Sequence, residues 1–337
     1  MNIAFFEIED HEKDYFQKHL SEGNNLLFFE EKLNEDFDIS KIKDIEIISV
    51  FIYSDLKKDI LDKLPNLRFI ATRSTGYDHI DLEECKKRNI LIENVPTYGE
   101  YTVAEHTFSL ILALSRRIIE SYKKVREWNF SPEGLTGFDL NKKTLGVIGV
   151  GNIGKNVIKI AKGFGMEVLG HKKNPDPELE KSLDFKLVDL ETLLKNSDII
   201  TLHIPFSKET RHLLGEKEFE KMKDGVVIIN TARGGIIDTN ALVKALETGK
   251  VRAAGLDVLE EEPLLREEKE LLSKSFDKKE LLCVLENHLL LSNPNVVITP
   301  HNAFNSKEAL ENITKTTLKN IHEFTGNNFQ NQVPQVL

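Results

Sequence analysis

The chain has 337 residues, 40% of them apolar and 30% charged, with a formal net charge of −10. That length and balance describe a globular protein with room for two cores, and the acidic charge argues against a nucleic-acid partner. Cys85 and Cys283 are the only cysteines, a usage that suits a reducing cytoplasm and offers no metal-ligand spacing.

The opening MNIAFFEIED lacks a basic segment and soon turns acidic, so it reads as a first strand rather than a secretion signal. NIAFFEI, IEIISVFI, LRFIAT and NILIE are short β-rich runs, with the amphipathic DYFQKHLSE and LKKDILDKL among them. This alternation predicts a parallel sheet covered by helices. Pro96 and Gly99 then break the pattern, and one long helix is expected from about Tyr101 to Val125 as a connector between domains. Its apolar run FSLILAL is too short to span a bilayer.

A second series of strands follows in TLGVIGV, MEVLG, FKLVD, DIITLHI, VVIIN, AAGLDV and VVITP. Residues 264–291 are charged and leucine-rich, and are expected to form an extra helical excursion. A strongly helical end begins near Asn305, where a helix could return to the first domain and make it discontinuous.

Within the second series, Gly149, Gly151 and Gly154 stand between a strand and a helix, as a dinucleotide-binding turn requires. The glycines allow the tight turn, close approach to a pyrophosphate and close helix packing, and the helix N-terminus offers N–H groups to the anion. An acid that would accept the ribose hydroxyls is expected about twenty residues on. The chain has His171, Lys172 and Lys173 there. An ammonium cannot accept those bonds and attracts a 2′-phosphate, so NADP(H) use is expected at least comparably with NAD(H).

Three later segments place reactive side chains just past predicted strand ends: Arg233 in VVIINTARGG, Asp257 and Glu262 in AAGLDVLEEEP, and His301 in VVITPHNAF. In an open parallel sheet ligands bind at those ends. Arg233 has the fork to hold a carboxylate and a neighbouring carbonyl oxygen, His301 is a proton donor near neutral pH, and Glu262 would raise and orient the histidine. With a nicotinamide, this is a site for reducing a 2-oxo acid. His106, in the connector, has no such context and reads as a packing or hydrogen-bonding residue.

TRSTGYDHID, VPTYGEYTVAEHTFSLILAL, GVIGVGNIGKNV, HIPFSKETRHLL, INTARGGIIDTNAL, GLDVLEEEP and ITPHNAF occur in that order. With them the chain resembles the D-2-hydroxyacid dehydrogenases over essentially its whole length, and looks closest to the D-lactate dehydrogenases. The resemblance implies an α/β fold of two Rossmann-like parallel-sheet domains with an active-site cleft between them. A discontinuous substrate domain would span 1–99 and 302–337, and a dinucleotide-binding domain 100–301. It implies Arg233 as the group that binds and polarises the 2-oxo acid, Glu262 as support for the histidine, and His301 as the acid/base. Thr75, Gly76, Tyr98 and Phe304 match substrate contacts. Asn152 and Ile153 match the pyrophosphate turn, Ile204, Pro205 and Thr210 a loop beside the adenosine, and Thr231, Ala232 and Asp257 the nicotinamide end. Family members usually pair as homodimers through the cofactor domain and its connector helix. Lys172 departs from the lactate pattern, in which an aspartate usually stands there. The expected reaction is reduction of pyruvate to D-lactate. A glyoxylate or hydroxypyruvate reductase using NADPH, and a nucleotide-sensing corepressor-like binding protein, remain open.

Overall fold

The computed structural model describes residues 1–174, 176–260, 278–326 and 329–334. The chain divides into two compact units, Met1–Gly99 with Ser306–Leu337, and Glu100–Asn305.

In the first unit the strands are β1 (Asn2–Phe5), β2 (Asn25–Phe28), β3 (Ile47–Val50), β4 (Phe69–Thr72) and β5 (Leu91–Glu93). All pair in parallel, in the order β2-β1-β3-β4-β5. IISV and FIAT, the sequences of β3 and β4, are buried at every position, as in parallel strands covered by helices on both faces. Phe5 stacks on Phe16 of the helix Asp10–Leu20 with ring centroids 4.5 Å apart. The helix Lys307–Gly326 sets Phe324 on Phe69 at the same distance, and its Asn320 Nδ2 donates to Asn94 O at 2.9 Å. The end of the chain thus completes the first sheet's core.

Arg73, directly after β4, is 1% exposed. Its Nε lies 3.2 Å from Glu12 Oε1, its Nη2 donates to Phe6 O and Glu7 O, each at 2.7 Å, and its Nη1 donates to Ser49 Oγ. A buried guanidinium needs this full set of acceptors, and the set fixes the point where Ser74, Thr75 and Gly76 leave the sheet.

The second unit has β6 (Thr144–Ile148), β7 (Glu167–His171), β8 (Lys186–Leu187), β9 (Ile199–Leu202), β10 (Val226–Asn230), β11 (Val251–Leu256) and β12 (Val296–Ile298). They form one parallel sheet in the order β12-β11-β10-β9-β6-β7-β8. The chain runs outward from β6 to β8 and then resumes on the other side at β9, so the winding reverses between β6 and β9. The two parallel sheets give the expected Rossmann-like, two-domain α/β fold.

Two expectations need adjustment. The connector is not one helix: Glu100–Ser115 stops, Arg117 turns left-handed (φ +50°), and Ile118–Arg126 starts afresh. The cause is remote in sequence. Phe138 N–H donates to Ser115 O at 2.9 Å, taking the acceptor that a continuing helix would use. Gly137 permits that approach, since a Cβ there would lie 2.0 Å from the same oxygen. Of the expected excursion, Lys278–Ser292 form a helix, while 264–277 lie outside the described residues. Among the described residues no helix is long and apolar enough to cross a membrane.

Candidate active site

The glycine turn follows β6, beside the winding reversal. Gly149 has φ +100° and donates its N–H to His171 O at 2.9 Å. A Cβ at 149 would lie 2.3 Å from His203 O, and one at 154 would lie 2.2 Å from Gly149 O, so both positions exclude a side chain. Gly151 differs. Its φ of −89° is ordinary, and a Cβ there would meet nothing within 4 Å.

Gly151 is the N-cap of the helix Asn152–Gly163, which has no side-chain cap and no acidic residue in its first turn. Asn152 points its amide at Glu100 Oε1, 3.4 Å away, and Ile153 packs partly buried on the core. The donor set, an uncapped helix N-terminus behind a side-chain-free approach, suits the pyrophosphate of a dinucleotide.

The loop after β9 carries His203, Ile204, Pro205 and Thr210. Thr210 Oγ1 donates to Pro205 O at 2.8 Å and accepts from Ser207 N at 2.7 Å, which closes the loop on itself. Ile204 packs against the core below the glycine turn. His203 was not singled out from the sequence. Burial pushes its imidazole down to about 3, so it is neutral at physiological pH. Its Nε2 lies 2.9 Å from Thr201 Oγ1, and its Nδ1 is buried without a hydrogen-bond partner among the described residues. An orphaned ring nitrogen just after β9, beside the glycine turn, is a further place for a ligand's polar group.

At the end of β10, Asn230 folds the chain over. Its Nδ2 donates to Arg233 O at 2.9 Å and its Oδ1 accepts from Ala232 N at 3.0 Å. Arg233 is half-buried, with Nη1 donating to Ala232 O at 2.8 Å. Gly234 lies flat against Leu259 and Glu260, where a Cβ would be 2.0 Å from a backbone atom. Thr231 Oγ1 is 3.1 Å from Thr107 Oγ1, whose proton goes to Val103 O.

Asp257 follows β11 and is 1% exposed. Its Oδ1 accepts from Thr299 Oγ1 at 2.5 Å and from Asn302 N at 3.0 Å, and its Oδ2 from Ala303 N at 2.9 Å. Burial alone would push this carboxyl up, but the donors His106, Thr299 and Ala303 outweigh it and hold the group below its ordinary range. His301 therefore sits in a loop whose next two amides are clamped by a buried carboxylate. It has φ +53°, and its own amide donates to Thr299 O at 2.9 Å. Phe304 is half-buried at the loop's end.

Arg233, Asp257 and His301 thus follow three adjacent strands, β10, β11 and β12. Glu262 lies outside the described residues. The chain leading to it is anchored at Glu260, which accepts from Thr239 Oγ1 at 3.0 Å and lies 2.7 Å from His212 Nε2. Thr75, Gly76 and Tyr98 belong to the first unit. There Thr75 Oγ1 donates to Val95 O and Thr75 O accepts from Asn94, while Gly76 O accepts from Ser74 Oγ at 2.6 Å. Tyr98 O accepts from Asn312 at 3.4 Å.

At the end of β7, Lys172 Nζ faces Asp176 Oδ2 at 3.8 Å, and Lys173 is exposed. Asp176 Oδ1 caps the helix Pro177–Leu183 by accepting from Leu179 N at 3.1 Å.

Residues 108–303 match the family described as D-isomer specific 2-hydroxyacid dehydrogenase, NAD binding domain. The chain belongs to the D-2-hydroxyacid dehydrogenases. This dehydrogenase is 38% identical over 328 residues to D-lactate dehydrogenase of Escherichia coli, covering 95% of its own chain and 96% of the relative. Glyoxylate reductase of Thermococcus litoralis is 39% identical over 293 residues, 85% of this chain and 82% of that one. Among solved structures, D-lactate dehydrogenase from Aquifex aeolicus complexed with NAD and lactic acid superposes with a TM-score of 0.87. It is 39% identical, over 97% of this chain and 96% of the other. Membership makes the protein an oxidoreductase of CH–OH donors that uses a nicotinamide dinucleotide, with NAD(H) as the family's cofactor.

Proposed function

We propose that this dehydrogenase reduces pyruvate to D-lactate. The carrying observation is its likeness to D-lactate dehydrogenase of Escherichia coli along 95% of the chain, against 85% for the glyoxylate reductase of similar identity. A dinucleotide held by the Gly149–Gly154 turn would supply a hydride to, or accept one from, the carbon of the 2-oxo or 2-hydroxy group. Arg233 holds the carboxylate and carbonyl oxygen of the 2-oxo acid through its planar fork and polarises the carbonyl. His301 gives its proton to the carbonyl oxygen as the hydride arrives at carbon, which balances the reduction to a hydroxyl. Glu262, by the family resemblance, favours the protonated histidine. The Asp257 clamp on the next two amides keeps the His301 loop in one conformation.

Initial rates with pyruvate, glyoxylate and hydroxypyruvate, each with NADH and NADPH, test the assignment. Pyruvate is expected to give the highest kcat/KM, and His301→Ala and Arg233→Ala each to lose on the order of a hundredfold or more while remaining folded. A preference for glyoxylate would move the enzyme to the reductase branch. Absence of turnover with all three would favour a nucleotide-sensing role.

The cofactor proposal is that NADPH is accepted at least comparably with NADH. The support is that His171 is followed directly by Lys172 and Lys173, whose ammonium groups cannot accept a hydrogen bond. The next acid, Asp176, is already engaged by a helix cap and by Lys172. A homodimer is proposed through the second helix of the connector and the residues just after it. Ile118, Tyr122, Val125, Trp128 and Phe130 are all exposed there, Trp128 at 87%, a cluster of large apolar groups that a partner surface would cover.

A further inference from the structure

We infer that His106 is a positioning residue for the reaction. It holds the Asp257–Thr299 clamp on which the His301 loop rests. The inference relies on His301 being the acid of the proposed reaction.

His106 lies in the helix Glu100–Ser115, which packs along β10, β11 and β12. Its Nε2 is 3.0 Å from Thr299 Oγ1 and 3.3 Å from Asp257 Oδ1. The proton inventory fixes its state at that atom. Thr299 has one hydroxyl hydrogen, and at 2.5 Å from Asp257 Oδ1 that hydrogen belongs to the carboxylate, which has none to offer in return when ionised. Thr299 Oγ1 can then only accept, so His106 Nε2 must carry a hydrogen and donate it. The imidazole therefore stabilises Asp257 as the anion, both directly and through Thr299.

That anion is what the His301 loop needs. Asp257 Oδ1 and Oδ2 receive the amides of Asn302 and Ala303, the two residues after His301. A neutral carboxyl would bind them more weakly, because charge-assisted bonds are about twice as strong as neutral ones. His301 is left-handed (φ +53°), a conformation that a non-glycine residue keeps only where its surroundings over-determine it. The clamp provides such surroundings, and His106 completes the donor set of the carboxylate that makes it. The neighbouring Thr107 receives the Thr231 hydroxyl, so adjacent residues of one helix brace two of the strand ends that carry the chemistry.

The test compares His106→Leu, His106→Asn and His106→Gln with the wild type for kcat, KM and NADH affinity by fluorescence titration. An acid about 1 Å out of place costs on the order of a hundredfold. With three of the carboxylate's donors retained, the expected loss of kcat in His106→Leu is nearer roughly tenfold. The NADH dissociation constant should stay within about twofold, because His106 contacts the clamp and not the cofactor turn. Glutamine carries an N–H where the imidazole Nε2 stood and should restore kcat to within about threefold, while asparagine, one methylene shorter, should not. Equal loss in all three variants would show a packing role and overturn the inference, as would wild-type kcat in His106→Leu. If His106→Leu fails to fold, the contrast between glutamine and asparagine decides alone. His301→Ala measured beside them separates the two levels. Full activity there removes His301 as the acid, whereas an inactive His301→Ala with a fully active His106→Asn removes only the positioning role.

Discussion

Gly151→Ala separates the cofactor role of the glycine turn from its folding role. A Cβ at 151 meets nothing within 4 Å, and the backbone there is open to alanine. The folded protein should lose only the N-cap preference for glycine over alanine, about 0.5–1 kcal/mol. Gly154→Ala is the control with the opposite expectation. Its helix propensity improves by about 1 kcal/mol, but the new Cβ lies 2.2 Å from Gly149 O. Relieving an overlap with backbone costs ~1–3 kcal/mol, so after the propensity gain the net loss reaches up to ~2 kcal/mol, which lowers Tm by several degrees. For the cofactor the order reverses. A methyl at 151 stands where a pyrophosphate would approach the helix N-terminus, and losing one hydrogen bond to a charged group there is worth ~1.5–3 kcal/mol, or about ten- to a hundredfold in the dissociation constant of NADH. Fluorescence titration with NADH and thermal melts without it read the two quantities separately. Wild-type NADH affinity in Gly151→Ala would refute the placement of the pyrophosphate at this turn. A Tm loss in Gly151→Ala as large as that in Gly154→Ala would refute the open approach.

Lys172→Asp should shift the ratio of kcat/KM values toward NADH, by a few-fold to about a hundredfold, because it restores a ribose acceptor and repels a 2′-phosphate; a wild-type enzyme strongly selective for NADH would end the dual-cofactor proposal. Glu93 is fully buried, and its Oε2 has no hydrogen-bond partner among the described residues. Burial, with Glu323 nearby, raises its carboxyl above the ordinary 4.5. Its contribution is therefore intact below that value and is lost as pH rises through the folded one. Glu93→Gln should accordingly melt higher than wild type near pH 8 and converge with it near pH 4, and a difference independent of pH would count against this. Trp128→Asp should weaken or abolish the dimer in sedimentation analysis while leaving the melting of β6–β12 cooperative; an unchanged assembly would exclude this segment as the interface.

The parts of the fold that were legible are those written in local pattern. IISV, FIAT and VVIIN announce doubly covered strands without further context. β2 was not singled out, since its four residues are exposed to partly buried and lie at the sheet edge, which weakens the apolar signal. The break after Ser115 depends on Gly137 and Phe138, about twenty residues further along, and FSLILALSRRII by itself carries every sign of continuity. Here a tertiary contact takes a carbonyl that propensity would have given to the helix.

The same division runs through the site. Glycine spacing exposes the turn, and proximity to a strand end exposes Arg233 and His301, because both signals lie within ten residues of sequence. The groups that support them do not. His106 stands 193 residues from Thr299, and its meaning as a donor exists only once the Thr299 hydroxyl is known to point at Asp257. Asp257 makes the point most directly. In GLDVLEEEP it reads as one more polar residue facing a nicotinamide. In the folded unit its two oxygens take the Thr299 hydroxyl and the Asn302 and Ala303 amides, with His106 beside them. Oδ1 is taken by Thr299, Asn302 and His106 and Oδ2 by Ala303, so the carboxylate acts on the loop that carries His301. That role is set by two strand ends and one helix meeting, and it has no counterpart in the spacing of any single motif.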